Sequence, residues 1–110
     1  MKNMAYTVEF SERARRDISG IVAYIQADSA LSASRWRETL FDKMSVLSVA
    51  PKGFGVAPES ALVDFTVRQM TYGRYRLLFT VDDDQLIVQL LTVRHSARQF
   101  MGRKELEGIE

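Results

Sequence analysis

The sequence predicts a single α+β domain in which a hairpin of two helices packs on one face of a small, mainly antiparallel sheet. Three observations lead to this fold class: a short polar–apolar alternation near the N-terminus, two amphipathic stretches with helical spacing, and three strand-like segments in the second half. The element order is β-α-α-β-β-β. A chain of 110 residues is long enough for one packed core and too short for two. Residues 1–110 are therefore interpreted as one domain with a tail from about Gln99.

The first strand and the first helix are indicated by adjacent patterns. Ala5–Phe10 alternates polar and apolar residues, as a half-buried strand does. Ser11 can cap the helix that follows, because its hydroxyl accepts a hydrogen bond from a free backbone N–H of the first turn. Between Ala14 and Ile25, apolar residues recur at spacings of three and four and form one face, which we expect to be buried.

The second helix is predicted from Ala30 or Ala33 to Val49. Pro51 sets its end, because a proline disfavours helical geometry in the preceding residue. The short link between the helices implies an antiparallel hairpin. Trp36 lies on the apolar stripe at helical spacing, which indicates a core residue rather than a ligand site.

The second half of the chain contains a loop and three strands. The loop, Pro51–Asp64, has no period and lacks the Lys-Ser/Thr of a phosphate-binding loop. Turns are predicted at Thr71–Gly73 and Asp82–Gln85. The last strand is apolar on both faces, as expected of a central strand. The three predicted strands are Phe65–Met70, Arg74–Val81 and Leu86–Arg94.

The two faces of the predicted sheet differ in character. Tyr75, Leu77 and Phe79 share one face, which we expect to lie beneath the helical hairpin. The other face is predicted to carry Arg68 and Arg76, with Arg94, His95 and Arg98 at the end of the last strand.

Composition excludes several classes of protein. The chain has no Cys and one His, which excludes disulfides, thiolate nucleophiles and multi-histidine metal sites. No apolar run approaches the roughly 20 residues that span a bilayer, and the N-terminus lacks the apolar stretch of a signal peptide. We therefore expect a cytoplasmic domain without a cofactor or a metal.

Charge is balanced in total but not in distribution. There are 15 Lys and Arg residues against 14 Asp and Glu residues, for a net charge of +1. Between Phe65 and Lys104, however, the only acids are Asp82, Asp83 and Asp84 in a predicted turn. The region is therefore either a cationic binding surface or a set of solvated arginines on a small sheet.

Short motifs follow one another in a defined order along the chain. Tyr6–Ser11 leads into Ala14–Ile18, Val67-Arg68 precedes Tyr75–Phe79, and Val93-Arg94-His95 with Arg98 closes the set. No single piece is specific. The ordered set, which runs from about Tyr6 to Phe100, resembles the RelE/ParE superfamily of bacterial toxins, the toxic components of type II toxin–antitoxin modules. The family fold agrees with the element order given above.

The resemblance implies one of two activities. RelE-like members cut mRNA in the ribosomal A site, whereas ParE-like members inhibit DNA gyrase and are not nucleases. The long hairpin and the Arg-His-x-x-Arg ending resemble the ParE branch, so gyrase inhibition is the expected activity. The alternatives are ribosome-dependent mRNA cleavage and a toxin-fold protein that has lost toxicity and acts as a binding module.

For the nuclease alternative, the resemblance implies Arg76, His95 and Arg98 as catalytic residues. Arg76 matches a family arginine that could hold a phosphate, but it equally fits a structural arginine paired with a carboxylate. The lysine pair of the family is missing, and Phe100 stands near the position of a family tyrosine. His95 is then the only candidate acid or base, unless it is a polar residue at a strand end or an antitoxin contact.

The expected partners are a cognate antitoxin and either DNA gyrase or the ribosome with its mRNA, with no role for a membrane. An acidic, amphipathic antitoxin segment is expected on the cationic face and on an apolar surface around Phe65, Met70 and Leu78. The predicted partner-binding residues are Arg68, Arg76, Arg94, Arg98 and Phe100.

Overall fold

The computed structural model describes residues 5–98 and 100–109, and it has the predicted order of elements with one short helix added at the end. Two short 3-10 turns, at Pro51–Gly53 and Pro58–Leu62, lie in the long loop. The strands and helices are β1 (Thr7–Phe10), α1 (Glu12–Gln26), α2 (Ala30–Val49), β2 (Arg68–Tyr72), β3 (Tyr75–Asp82), β4 (Ile87–His95) and α3 (Arg103–Glu107).

Both long helices begin at serine caps. The Ser11 hydroxyl accepts a hydrogen bond from the Ala14 backbone N–H at 2.9 Å, as predicted. Ser29 caps α2 in the same way, through the backbone N–H of Ser32 at 3.1 Å. Each cap satisfies a backbone donor that would otherwise lack a helical partner.

The four strands form one sheet in the order β1-β4-β3-β2, in which only the β1–β4 pair is parallel. A parallel pair needs a long crossover, and the α1–α2 hairpin supplies it. The α+β fold, with the hairpin on one face of a mainly antiparallel sheet, is therefore confirmed. β4 lies between two neighbours and is buried along most of its length, as the apolar pattern on both of its faces predicted.

A second layer of structure covers the sheet face opposite the hairpin. The hairpin side holds the main core, with Leu40, Leu47, Leu77 and Phe79 among its members. The long loop and the C-terminal segment build a smaller core on the other face, from Ala57, Val67, Leu78, Leu91, Met101 and Leu106. The predicted tail includes the helix α3 and buries Leu106 there, whereas Gln99 lies outside the described residues.

The strand predicted at Phe65–Met70 lies further along the chain, at Arg68–Tyr72. Tyr72 pairs directly with Tyr75, so the turn consists of Gly73 and Arg74 rather than Thr71–Gly73. Gly73 has a φ of 56°, a left-handed conformation that glycine adopts without steric cost.

The prediction that Arg68 shares a face with Arg76 is wrong. Arg68 pairs with Phe79, and directly opposed residues in an antiparallel pair project to the same face. Arg68 therefore lies on the hairpin side of the sheet, where its Nη1 donates to the carbonyl oxygen of Phe54 at 2.8 Å.

The apolar surface predicted around Phe65, Met70 and Leu78 is also wrong. Met70 and Leu78 are both buried, and they belong to the cores on opposite faces of the sheet. Of the three side chains only Phe65 is exposed, because alternation in β2 and β3 sends the other two inward. Among the described residues, no helix is long and apolar enough to cross a membrane.

Candidate functional site

Arg76 and Arg94 lie side by side on the sheet face opposite the hairpin, since they are directly paired between β3 and β4. Both side chains are largely buried, and each faces a carboxylate. We call the set formed by Arg13, Glu59, Arg76, Arg94 and Glu105 the arginine–carboxylate cluster.

Arg76 forms a bidentate pair with Glu59, a residue of the Pro58–Leu62 turn. Its Nη1 donates to Glu59 Oε2 at 2.9 Å and its Nη2 donates to Glu59 Oε1 at 2.6 Å. Gln69 Oε1 accepts from Nε and Nη2 of the same guanidinium at 3.0 and 2.8 Å. The guanidinium carbon of Arg76 lies over the face of the Phe100 ring, 5.1 Å from the ring centroid. Arg76 thus uses all three nitrogen atoms within the fold.

The Glu59 carboxylate is completely buried and ionised. Burial by itself raises its pKa, but hydrogen bonds and charge from Arg76, together with the backbone N–H groups of Glu59 and Met101, outweigh burial and hold the pKa below its usual value. The Met101 N–H donates to Glu59 Oε2 at 3.3 Å, which ties the C-terminal segment to the cluster.

Arg94 forms the second half of the cluster. Its Nη1 lies 3.7 Å from Glu105 Oε2, and Arg13 Nη2 approaches the same oxygen at 3.5 Å. Burial, and then the nearby charge of Arg98, lower the pKa of the Arg94 guanidinium. Glu105 therefore joins α3 to α1 and β4 at once.

His95 stands at the end of β4, outside the cluster. Its Nδ1 accepts a hydrogen bond from the Ala97 backbone N–H at 3.0 Å. Because a backbone N–H can only donate, Nδ1 carries no proton and the neutral ring carries it on Nε2. The ring also makes an edge contact with Tyr75, with a centroid distance of 5.5 Å. The Nδ1 lone pair of His95 is therefore engaged within the fold.

A groove of about 300 Å³ separates α1 from the ends of β3 and β4. We call it the α1–β4 groove. Exposed Arg16 and Arg98 line it, and they contribute cationic side chains. Its other lining residues are Asp17, Gly20, Ile21, Tyr24, Tyr75, Val93 and His95.

The predicted site residues therefore divide into three places. Arg76 and Arg94 are in the arginine–carboxylate cluster, with exposed Phe100 against Arg76. His95 and Arg98 line the α1–β4 groove, and Arg68 lies on the hairpin side of the sheet. In this arrangement Arg98 and Phe100 are the exposed members of the set.

Sequence reasoning missed the two carboxylates of the cluster. Glu59 lies in a loop without a period, 17 positions before Arg76, and Glu105 lies in the tail. The sequence held one signal of them, the excess of cations over acids between residues 65 and 104. A buried arginine needs a carboxylate partner, so any buried arginine of this region has to pair with an acid from another part of the chain. No group of three His, Asp or Glu side chains that could hold a metal is found within residues 5–98 and 100–109.

Comparison with known proteins gives the class of the chain. The family described as the ParE toxin of the type II toxin–antitoxin system parDE matches residues 8–100. This match covers most of the sequence, and the chain therefore belongs to the ParE toxin family, within the RelE/ParE superfamily. No curated protein sequence matches the chain.

Solved structures of similar chains include toxins and toxin–antitoxin complexes. The toxin–antitoxin complex RelBE2 of Mycobacterium tuberculosis contains a chain with 28% identity and a TM-score of 0.56, and the match covers 83% of this chain and 98% of that one. A chain of the chromosomal ParDE system of P. aeruginosa has 19% identity and a TM-score of 0.64, with coverage of 86% and 98%. A mutant of the E. coli toxin RelE in the free state has 22% identity and a TM-score of 0.54, with coverage of 84% and 85%.

Proposed function

We propose that this toxin arrests growth by binding and inhibiting DNA gyrase in the cytoplasm, and that a cognate antitoxin neutralises it. The proposal rests on one observation: of the residues at the predicted nuclease position, Arg76 is held by Glu59 and Gln69, His95 accepts a backbone hydrogen bond through Nδ1, and Phe100 cannot transfer a proton. Inhibition by binding needs no proton-transfer group.

Metal-free RNA cleavage requires a base for the 2′-hydroxyl and an acid for the leaving oxygen, and each typically contributes about 10²–10⁴-fold to the rate. Arg76 uses its donors on Glu59 and Gln69, and a guanidinium is a poor proton-transfer group. His95 uses Nδ1 as an acceptor for Ala97 N–H. Phe100 has no proton to transfer. These residues therefore support the binding activity over the nuclease.

The family of this chain and the solved structures similar to it support the proposed antitoxin partner. The family is defined as the toxin of a type II toxin–antitoxin system, and the M. tuberculosis structure is a toxin–antitoxin complex. We expect the protein encoded beside this toxin to form a stable complex with it. If the two proteins are co-expressed and the toxin elutes alone from a sizing column, this part of the proposal is wrong.

The target is tested by two reactions with the purified toxin. Gyrase supercoiling of relaxed plasmid DNA is expected to fall, while translation of a defined mRNA followed by primer extension is expected to show no new ends. Ribosome-dependent cuts with normal supercoiling would instead support the RelE-like alternative, and His95→Ala would then be the first variant to examine. A toxin inactive in both reactions would favour the binding module without toxicity.

A further inference from the structure

We propose that the solvent-facing side of the helical hairpin associates with a second copy of this chain, so that each copy packs its α2 helix into the groove between α1 and α2 of the other. The surface is separate from the arginine–carboxylate cluster and from the α1–β4 groove. The inference does not depend on the proposed gyrase target.

The helix α2 carries more apolar surface than contact with its own domain covers. One side of the helix, which includes Leu40 and Leu47, is buried in the main core. Away from that side, Leu31 is 60% exposed, Phe41 is 55% exposed and Val49 is 73% exposed. A helix that packs only against its own domain normally carries polar residues on its outer side. These exposed side chains therefore indicate a face that another protein surface covers.

Beside Phe41 lies a groove of about 410 Å³ where α2 meets the first half of α1. We call it the α1–α2 groove. Phe10 and Ile18 supply apolar lining and are only partly buried. Arg15 and Arg37 also line the groove, and both are exposed. The groove therefore combines apolar contact area with two cations.

Two carboxylates stand on α2 next to this groove. Glu38 and Asp42 are exposed and four positions apart, so they share a helix face, which is turned by about 100° from the face of Arg37 and Phe41. Within residues 5–98 and 100–109, none of Arg15, Arg37, Glu38 and Asp42 has an oppositely charged group within 4.0 Å. Like charges at this spacing weaken a helix. A cation supplied from outside the domain would relieve that repulsion.

One face of the hairpin thus presents both halves of an interface. In a dimer with a two-fold axis, the contact is made twice: Glu38 and Asp42 of each copy face the α1–α2 groove of the other, where Arg15 and Arg37 lie. Phe41 of each copy then contacts the apolar lining of the other groove. The two acids also disfavour a nucleic acid as occupant, because they would repel its phosphates. The charges therefore favour a second copy of the same chain.

The size of the face is that of a weak dimer interface. The helices α1 and α2 have 15 and 20 residues. At a rise of about 1.5 Å per residue and a width of about 10 Å per helix, they present a face of roughly 25 by 20 Å. Two such faces in contact bury about 1,000 Å² in total, near the lower limit for a specific interface. We therefore expect a dissociation constant in the micromolar range.

Sedimentation equilibrium of the purified toxin, from about 1 to about 500 µM, tests the inference. The average mass should rise with concentration from the 12.6 kDa of one chain towards twice that value. Arg37→Glu and Glu38→Arg each place like charges across the interface and should raise the dissociation constant about tenfold. The double variant Arg37→Glu/Glu38→Arg exchanges the two charges within each copy. It should bind more tightly than either single variant, because opposite charges face each other again.

Two further variants complete the comparison. Phe41→Ser removes apolar contact area and should also weaken the dimer. Arg74→Glu, at an exposed position of the β2–β3 turn, is the control and should leave the dissociation constant unchanged. All these substitutions are at exposed positions and should leave the protein folded, which circular dichroism checks.

Three results would overturn the inference. The first is a wild-type chain that stays at 12.6 kDa up to about 500 µM. The second is a dimer that Arg37→Glu, Glu38→Arg and Phe41→Ser leave unchanged, since the chains would then associate through another surface. The third is a monomeric wild type whose inhibition of gyrase is lost in Phe41→Ser, because the face would then bind the target protein and not a second copy.

Discussion

Arg76→Ala should destabilise the protein strongly, because it would leave a buried carboxylate without its cation. Arg76 is 8% exposed and Glu59 is 0% exposed, and two short hydrogen bonds join them. Removing one partner of a buried ion pair typically costs about 3–5 kcal/mol, much of it the penalty of the charge left behind. We expect the free energy of unfolding to fall by about this amount, a large share of the total stability of a small domain.

Urea unfolding followed by circular dichroism measures this loss. Arg74→Ala is the matched control: Arg74 is exposed in the β2–β3 turn, and its replacement should change stability by no more than about 0.5 kcal/mol. The double variant Glu59→Leu/Arg76→Met should be more stable than Arg76→Ala, because it removes both charges together. A cost below about 1 kcal/mol for Arg76→Ala would refute the reasoning.

Three further predictions concern other contacts. The folded-state pKa of Glu59 lies below its ordinary value of 4.5, so its contribution to stability is present above pH 4.5 and is lost as the pH falls through the folded pKa. Urea unfolding at about pH 7 and at about pH 3 measures this effect. Between these two pH values, the free energy of unfolding should fall less for Glu59→Gln than for the wild type. Asp17→Asn replaces a carboxylate that accepts from Thr92 and Val93, and it should lower the free energy of unfolding by about 1–3 kcal/mol in the same assay. Gly73→Ala forces a φ of 56° on a residue with a Cβ and should lower the melting temperature, at a cost of about 1–2 kcal/mol.

The elements with strong local signals were predictable from the sequence. The serine cap at Ser11, the apolar spacing of both helices and Pro51 after the second helix identified the hairpin and its ends. The pattern of β4, apolar on both faces, identified the central strand. In these places local propensity and the tertiary structure agree.

The face and the partners of the arginines were not predictable, because they depend on pairing between distant segments. Arg68 was misplaced because its face is set by pairing with Phe79 in β3, not by its own strand. Glu59 could not be assigned to Arg76, since a loop without a period gives no indication of which side chains point inward. The smaller core was not predictable for the same reason, because it packs loop residues and Met101 against Leu78 from distant parts of the chain.

The central claim is that this ParE-family chain acts by binding gyrase rather than by cleaving RNA. A titration of gyrase with the toxin tests this claim most directly. With gyrase at a fixed concentration in a plasmid supercoiling reaction, we expect activity to disappear as the toxin approaches a one-to-one ratio and to return when the antitoxin is added. Unchanged supercoiling at a large molar excess of toxin, together with complete cleavage of an mRNA by toxin present at far fewer copies than the ribosomes, would contradict the claim.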